Sequence, residues 1–161
     1  TSSVNLMAAK ALIFNLAMED KFVRIQKKTI QNAGIMARAL MKKGYHIISG
    51  GTDNHQVVID LTAKGISGKS AEETLESIGI ILNRNVVPRD ENIPGKVSGI
   101  RLGSSAVSAR GMGEPQMQKI IELMDMALMN QTKKVILNQV KDMVLDLCRE
   151  FPINGIVSKD K

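Results

Sequence analysis

Gly44-Tyr45-His46-Ile47-Ile48-Ser49-Gly50-Gly51-Thr52-Asp53-Asn54-His55-Gln56-Val57-Val58-Ile59-Asp60-Leu61 is the stretch on which the fold turns. Residues 45–49 and 56–61 are short β-prone runs, and the Gly-Gly-Thr-Asp-Asn between them reads as a turn. What precedes this stretch has helical period, and so does what ends the chain. Two further strands are expected at residues 80–82 and 99–102, with an exposed loop over residues 88–95. Helices that flank a cluster of short strands imply an α+β fold: a small mixed or antiparallel sheet with helices packed on it, preceded by a long helix.

Upstream, residues 4–18 are apolar and Ala-rich, with Ser3 or Asn5 as the cap. A second helix is predicted over residues 19–43. Phe22, Ile25, Thr29, Ala33, Met36 and Leu40 recur there every three or four residues and make one apolar stripe. Glu19 and Asp20 open it, Lys42 and Lys43 close it, and Gly44 is its C′ residue, an order that suits the helix dipole. Downstream, Ser70-Ala71-Glu72-Glu73 reads as a capping box for a helix over residues 70–78. Met117, Ile120, Ile121, Met124 and Leu128 form another stripe, and Ile136, Val140, Met143, Val144 and Leu147 a further one. The ten methionines fall mostly on such stripes and read as core fillers rather than metal ligands. Pro152 ends the last helix. One domain over residues 1–152 with a loose tail at 153–161 is the expected organisation.

Composition narrows the function. A chain of 161 residues, 43% hydrophobic and 24% charged, is globular and long enough for a real core. No apolar run is long enough for a membrane span. The chain begins Thr1-Ser2-Ser3 with no basic segment leading into an apolar one, so no signal peptide is expected. Cys148 is the single cysteine, which forbids an internal disulfide and suits a reducing, cytoplasmic compartment. His46 and His55 do not join it in a metal-ligand cluster. The net charge of +6 raises nucleic acid as a partner, but aromatics are only 2% and supply no stacking platforms. The basic residues between Lys21 and Lys43 are spaced as a solvated helix face.

Three short motifs carry less than they promise. Gly68-Lys69-Ser70 lacks the first glycine of a phosphate loop, because that position is Ala63. Gly111-Met112-Gly113 has no third glycine at dinucleotide spacing and reads as a turn before the helix that starts near Glu114. Ser104, Ser105 and His55 lie in no nucleophile elbow. Arg101 carries more. It stands in Ser98-Gly99-Ile100-Arg101-Leu102-Gly103, a strand bracketed by glycines that permit close approach of a ligand. A guanidinium held there presents a rigid fork suited to a carboxylate.

These residues resemble serine hydroxymethyltransferases. Gly44 to His55 is similar to that family's G-Y-x-x-x-S-G-G-T-D-N-H segment. Asn83-Arg84-Asn85 with Pro88 resembles its N-K-N-x-x-P, and Ser98 to Gly103 its S-G-I-R-x-G. Arg110-Gly111-Met112-Gly113-Glu114 resembles R-G-F-x-E, and Ala8-Ala9-Lys10-Ala11 the A-A-K-A of the helix after the cofactor-lysine region. The similarity runs in order from about residue 5 to Pro152. It implies the small C-terminal domain of the aminotransferase-like fold. The implied activity is pyridoxal-phosphate-dependent transfer of a one-carbon unit between serine and tetrahydrofolate, giving glycine. It also implies a homo-oligomer with the site at a dimer interface. Arg101 matches the arginine that holds the amino-acid substrate's carboxylate, and Asn85 an asparagine that contacts the folate ring. The Schiff-base lysine of the family lies in a T-T-T-H-K-type segment that nothing here matches, so no catalytic residue is expected in this chain, which is inactive without that region. The alternative is a stand-alone, non-catalytic binding or assembly module of the same descent. The chain departs from the family where Gly-Gly-Pro precedes the first helix (Thr1-Ser2-Ser3 here), in the absence of a His near Asn5, in Gly103-Ser104-Ser105-Ala106 for G-T-P-A, and in Ile93-Pro94-Gly95-Lys96 for S-P-F. These departures bear on the folate contacts and on the amino acid used.

Overall fold

A computed structural model describes residues 3–88, 90 and 95–153. Its elements in chain order are α1 (Val4–Ala17), α2 (Asp20–Lys42), β1 (His46–Ile47), β2 (Gln56–Asp60), α3 (Gly68–Ser77), β3 (Asn83–Asn85), β4 (Gly99–Gly103), α4 (Ser105–Ala109), α5 (Glu114–Leu128) and α6 (Lys134–Glu150). Single 3-10 turns at Ile48–Gly50 and Thr62–Lys64 follow β1 and β2. The strands form one antiparallel sheet in the order β1-β2-β4-β3. This is the expected α+β arrangement, and the sheet is antiparallel throughout.

The period of two sorts each strand into two faces. Ile47, Val57, Ile59, Ile100 and Leu102 are buried against the helices. They join Ala33, Met36 and Leu40 of α2, Leu75 of α3, Met117, Ile121 and Met124 of α5, and Val140 and Val144 of α6 in one core. Burying side chains of this size contributes about 1.5–3 kcal/mol each. The stripes predicted for α2, α5 and α6 therefore face the common core as their spacing requires, α6 packing on α5. The first turns of α2 are the exception: Phe22 is exposed and Ile25 only half-buried. In α1 no residue is buried, and Leu12, Ile13 and Phe14 are all at least 60% exposed. The methionines divide: Met36, Met112, Met117 and Met124 fill the core, while Met7, Met18, Met41, Met126 and Met129 are exposed, so half of them are not core fillers.

Helix ends follow from local chemistry. Gly44 at φ +79° lets the backbone reverse after α2, and the Tyr45 N–H reaches back to the Leu40 carbonyl, as in a Schellman turn. The capping box at Ser70 is not formed. Ser67 is the N-cap instead, its hydroxyl accepting the Ser70 N–H at 3.1 Å, and α3 starts two residues earlier than its pattern suggests. The start is set by packing: Gly68 donates its N–H to the Val97 carbonyl at 2.8 Å and lies flush against the entry to β4. Ser3 precedes α1, but its hydroxyl goes to the Asn5 side chain rather than to a backbone N–H. The strand expected at residues 80–82 is found at Asn83–Asn85. The apolar run enters the core through Leu82 and leaves Ile81 exposed, while the asparagines take the ladder positions beside β4. Pairing with a neighbour outweighs the poor strand propensity of Asn. Of the tail expected at 153–161, residues 154–161 lie outside the described residues.

Candidate functional site

The register brings the two candidate residues onto one face. Antiparallel partners point the same way, so Val58, Arg101 and Asn83 form one row across β2, β4 and β3. The next row is His46, Asp60, Gly99 and Asn85. Arg101 and Asn85 are thus diagonal neighbours on the face of the sheet opposite the core; such diagonals typically span about 7–8 Å. Both side chains are half-buried. Gly99 and Gly103 lie two residues either side of Arg101 on that face, which leaves its side chain the only one β4 presents there. Among the described residues the Arg101 guanidinium has no carboxylate partner. Among the described residues this fork-shaped donor set on a central strand has no internal acceptor, a geometry that would suit an external carboxylate. The Asn85 amide donates to the neighbouring Val86 carbonyl at 2.7 Å, which leaves its side-chain oxygen as an acceptor.

The two flanking glycines differ in the room around them. A Cβ on Gly99 would stand 2.4 Å from Val87 Cγ1 and 2.7 Å from the Ile59 carbonyl oxygen. Close approach occurs at Gly99, but it is the protein's own Val87 that packs over it. At Gly103 the nearest atom to a Cβ would be the His55 carbonyl oxygen at 3.6 Å, so that position does have room.

Carboxylates brace this face at both ends. Asp60 lies 3.6 Å from the His46 ring and accepts the Thr62 N–H at 2.8 Å. Burial pushes its carboxyl up, but the Thr62 hydroxyl and N–H and the His46 ring outweigh burial and hold it below the usual range. Asp90, in the segment expected as an exposed loop, is buried instead. It accepts the Ser98 N–H and the Ser98 hydroxyl, each at 2.7 Å, and the Val87 N–H at 3.3 Å, with Lys96 Nζ at 3.6 Å. Burial again pushes upward, and the Ser98 and Val87 donors with Lys96 bring the carboxyl below its ordinary value. The rest of that loop, residues 89 and 91–94, lies outside the described residues, with its Ile93-Pro94 departure from the family pattern. The sequence signal for Asp90 was its place three residues past Val87 and eight before Ser98, which only the closed loop makes meaningful.

The other motifs are structural. In the Ser-Gly-Gly-Thr-Asp-Asn turn, Ser49 and Gly50 both take positive φ, 68° and 69°. Thr52 donates its hydroxyl to the Gln56 carbonyl at 2.6 Å, and the Asn54 side chain accepts the Gln56 N–H at 2.8 Å. The expected self-capping turn is formed. Ser104 is buried and gives its hydroxyl to the Thr29 carbonyl at 2.7 Å; it meets His55 through that residue's backbone oxygen and not its ring. Arg110 was not foreseen in a role. Its guanidinium donates to the carbonyls of Phe151 at 2.6 Å and Cys148 at 2.9 Å, and so closes the C-terminal end of α6. Asn32 of α2, buried, ties Ser108 and the Met112 carbonyl at 2.8 and 3.0 Å.

No lysine occupies a register position on the Arg101 face among the described residues. Lys43 pairs with Asp125, Lys69 with Glu73 and Lys96 with Asp90, while Lys28 and Lys64 donate to the Gly111 and Lys43 carbonyls. The face carries a guanidinium and, among the described residues, no amine for the aldehyde of pyridoxal phosphate, so these residues do not fit that cofactor by themselves. Among them there is also no group of three or more His, Cys, Asp or Glu side chains that could hold a metal ion, and no helix long and apolar enough to cross a membrane.

The family model described as serine hydroxymethyltransferase matches residues 3–124. The match takes in α1 to the middle of α5, and with them the sheet, the self-capped turn and both candidate residues. With more than half of its 161 residues so matched, the chain belongs to the serine hydroxymethyltransferase family.

Proposed function

We propose that this chain supplies the substrate-carboxylate side of a serine hydroxymethyltransferase active site. The observation that carries the reading is Arg101: a fork on a central strand, flanked by glycines on its own face and without a carboxylate partner among the described residues. Arg101 would hold the carboxylate of serine or glycine by two parallel bonds. Asn85, on the same face, would offer its side-chain oxygen to the folate ring. Pyridoxal phosphate would supply the electron sink, held by a region bearing the Schiff-base lysine, without which this chain is inactive. The complete protein is then a cytoplasmic homodimer that transfers a one-carbon unit between serine and tetrahydrofolate. The face is built to bind and orient an amino acid, with glycine-opened room at Gly103 and no hydrophobic residue in the Arg101 row beyond Val58.

The test is the serine affinity of the Arg101→Lys holoenzyme, followed by the cofactor's absorbance. Lysine keeps the charge and loses the fork. Charge-assisted bonds contribute about 1.5–3 kcal/mol each, so affinity should fall at least about tenfold while cofactor content is unchanged. Unchanged affinity with a lowered melting temperature would make Arg101 a structural residue. The coding sequence upstream of Thr1 separates this reading from the non-catalytic module: a cofactor-lysine segment there supports the enzyme, and a start codon close to Thr1 the module.

A further inference from the structure

We propose that Asp90 is a positioning residue for amino-acid binding, a role that rests on the Arg101 reading above. Its side chain is 2% exposed. It gathers donors from both ends of the β3–β4 connection. Val87 lies two residues past Asn85, and Ser98 immediately precedes β4. One carboxylate thereby ties the exit of the Asn85 strand to the entry of the Arg101 strand.

The tie matters most at the Asn85 end of β3, because the entry to β4 is also held by the Leu61 N–H on the Ser98 carbonyl at 3.0 Å and the Gly68 N–H on the Val97 carbonyl at 2.8 Å. β3 is a three-residue edge strand paired with β4 alone. Its other tether, Glu72 on α3, accepts the Arg84 N–H at 3.0 Å and faces Arg84 Nε at 3.5 Å. That tether fixes the middle of the strand and leaves the Asn85 end to Asp90. By holding Val87, Asp90 also seats the side chain that fills the space over Gly99. Gly99 is the residue between Asn85 and the β2 row, two positions from Arg101. A shift at Ser98 is therefore passed along β4 to the guanidinium, and a shift at Val87 along β3 to the Asn85 amide.

The chemistry demands a carboxylate. Three donors converge on its two oxygens, and Lys96 balances its charge. An amide whose oxygen keeps the two N–H donors turns its NH₂ toward the Ser98 hydroxyl and the Lys96 ammonium, and it removes the charge that Lys96 balances. The expected result for the Asp90→Asn holoenzyme is a loss of serine affinity of about tenfold, since misplacement on the scale of 1 Å weakens binding and reaction steeply. Cofactor content should be unchanged. Because Asp90 acts through Arg101, the same substitution in an Arg101→Lys background should add no further loss. Unchanged serine affinity in Asp90→Asn beside a weakened Arg101→Lys, or fully additive losses in the double variant, overturns the positioning role. An Arg101→Lys enzyme with normal affinity overturns the carboxylate reading itself, and this role with it. If Asp90→Asn does not fold, Ser98→Ala takes its place in the same cycle, read by the same outcomes.

Discussion

The Tyr45 hydroxyl donates to Asp125 Oδ1 at 2.9 Å and so joins the chain entering β1 to the last turn of α5. Lys43 Nζ meets the other oxygen of Asp125 at 3.0 Å, and Lys64 Nζ lies 4.6 Å above the Tyr45 ring while donating to the Lys43 carbonyl. Burial, then the Asp125 hydrogen bond and charge, push the Tyr45 phenol well above its ordinary value. Tyr45→Phe should destabilise the fold by about 1–2 kcal/mol, the cost of a hydrogen bond to a charged group that stays partly solvated. The raised value concerns the neutral form, so its stabilisation is complete below the unfolded value of about 10 and is lost as pH rises beyond it. Denaturant melts between neutral pH and pH 11 should show wild type losing stability above pH 10 and Tyr45→Phe losing less; parallel curves would remove Tyr45 as the alkaline-sensitive group.

Gly68 is required by close approach rather than by its dihedrals. A Cβ there would stand 2.4 Å from the Gly99 carbonyl oxygen and 2.9 Å from that of Val97, both backbone atoms that cannot swing aside. Gly68→Ala should cost about 1–3 kcal/mol by overpacking and move α3 away from β4. A melting curve identical to wild type would show that the gap is wider than the geometry here.

The two braced carboxylates should contribute to the acid limb of stability. Asp60 and Asp90 both sit below their ordinary range in the fold. Each contributes stability that is present above the unfolded value of about 3.9 and lost as pH falls through the lower folded value. Urea midpoints should therefore hold from pH 7 to about 5 and drop below pH 4. Asp60→Asn should flatten part of that drop, and an unaltered slope would assign the acid sensitivity to other groups.

Helix α1 should make the chain self-associate. Leu6, Met7, Leu12, Ile13 and Phe14 are all exposed, as are Phe22 and Val23 at the start of α2. A patch of this kind rarely stays uncovered in water. Sedimentation should show a concentration-dependent shift, abolished by Leu12→Glu with Phe14→Glu; a strictly monomeric wild type over the same range would refute it. Neither residue enters the core, so the double variant should keep its melting temperature.

Much of this protein was legible from residue order alone. The helical stripes of α2 and α5, the Gly44 stop and the Gly50-Gly51 turn follow from periodicity and dihedral preference, which act within a few residues. The motifs that place the chain in its family are likewise local strings, and Arg101 could be singled out by its flanking glycines. What a string could not show is which distant residues meet. The strand of Asn83–Asn85 has poor intrinsic propensity and exists because β4 offers it a ladder. Ser67 rather than Ser70 caps α3 because Gly68 must lie against the β4 entry. Asp90 reads as one more loop acid until the chain closes and Ser98 and Val87 converge on it. That Arg101 and Asn85 share a face depends on the register of one antiparallel pair, and a slip of one residue would have sent one of them into the core. Sequence determined the kinds of element and the chemistry of the candidate side chains; tertiary pairing alone decided their partners, because a hydrogen-bond ladder and a packed core are set by residues far apart in the chain.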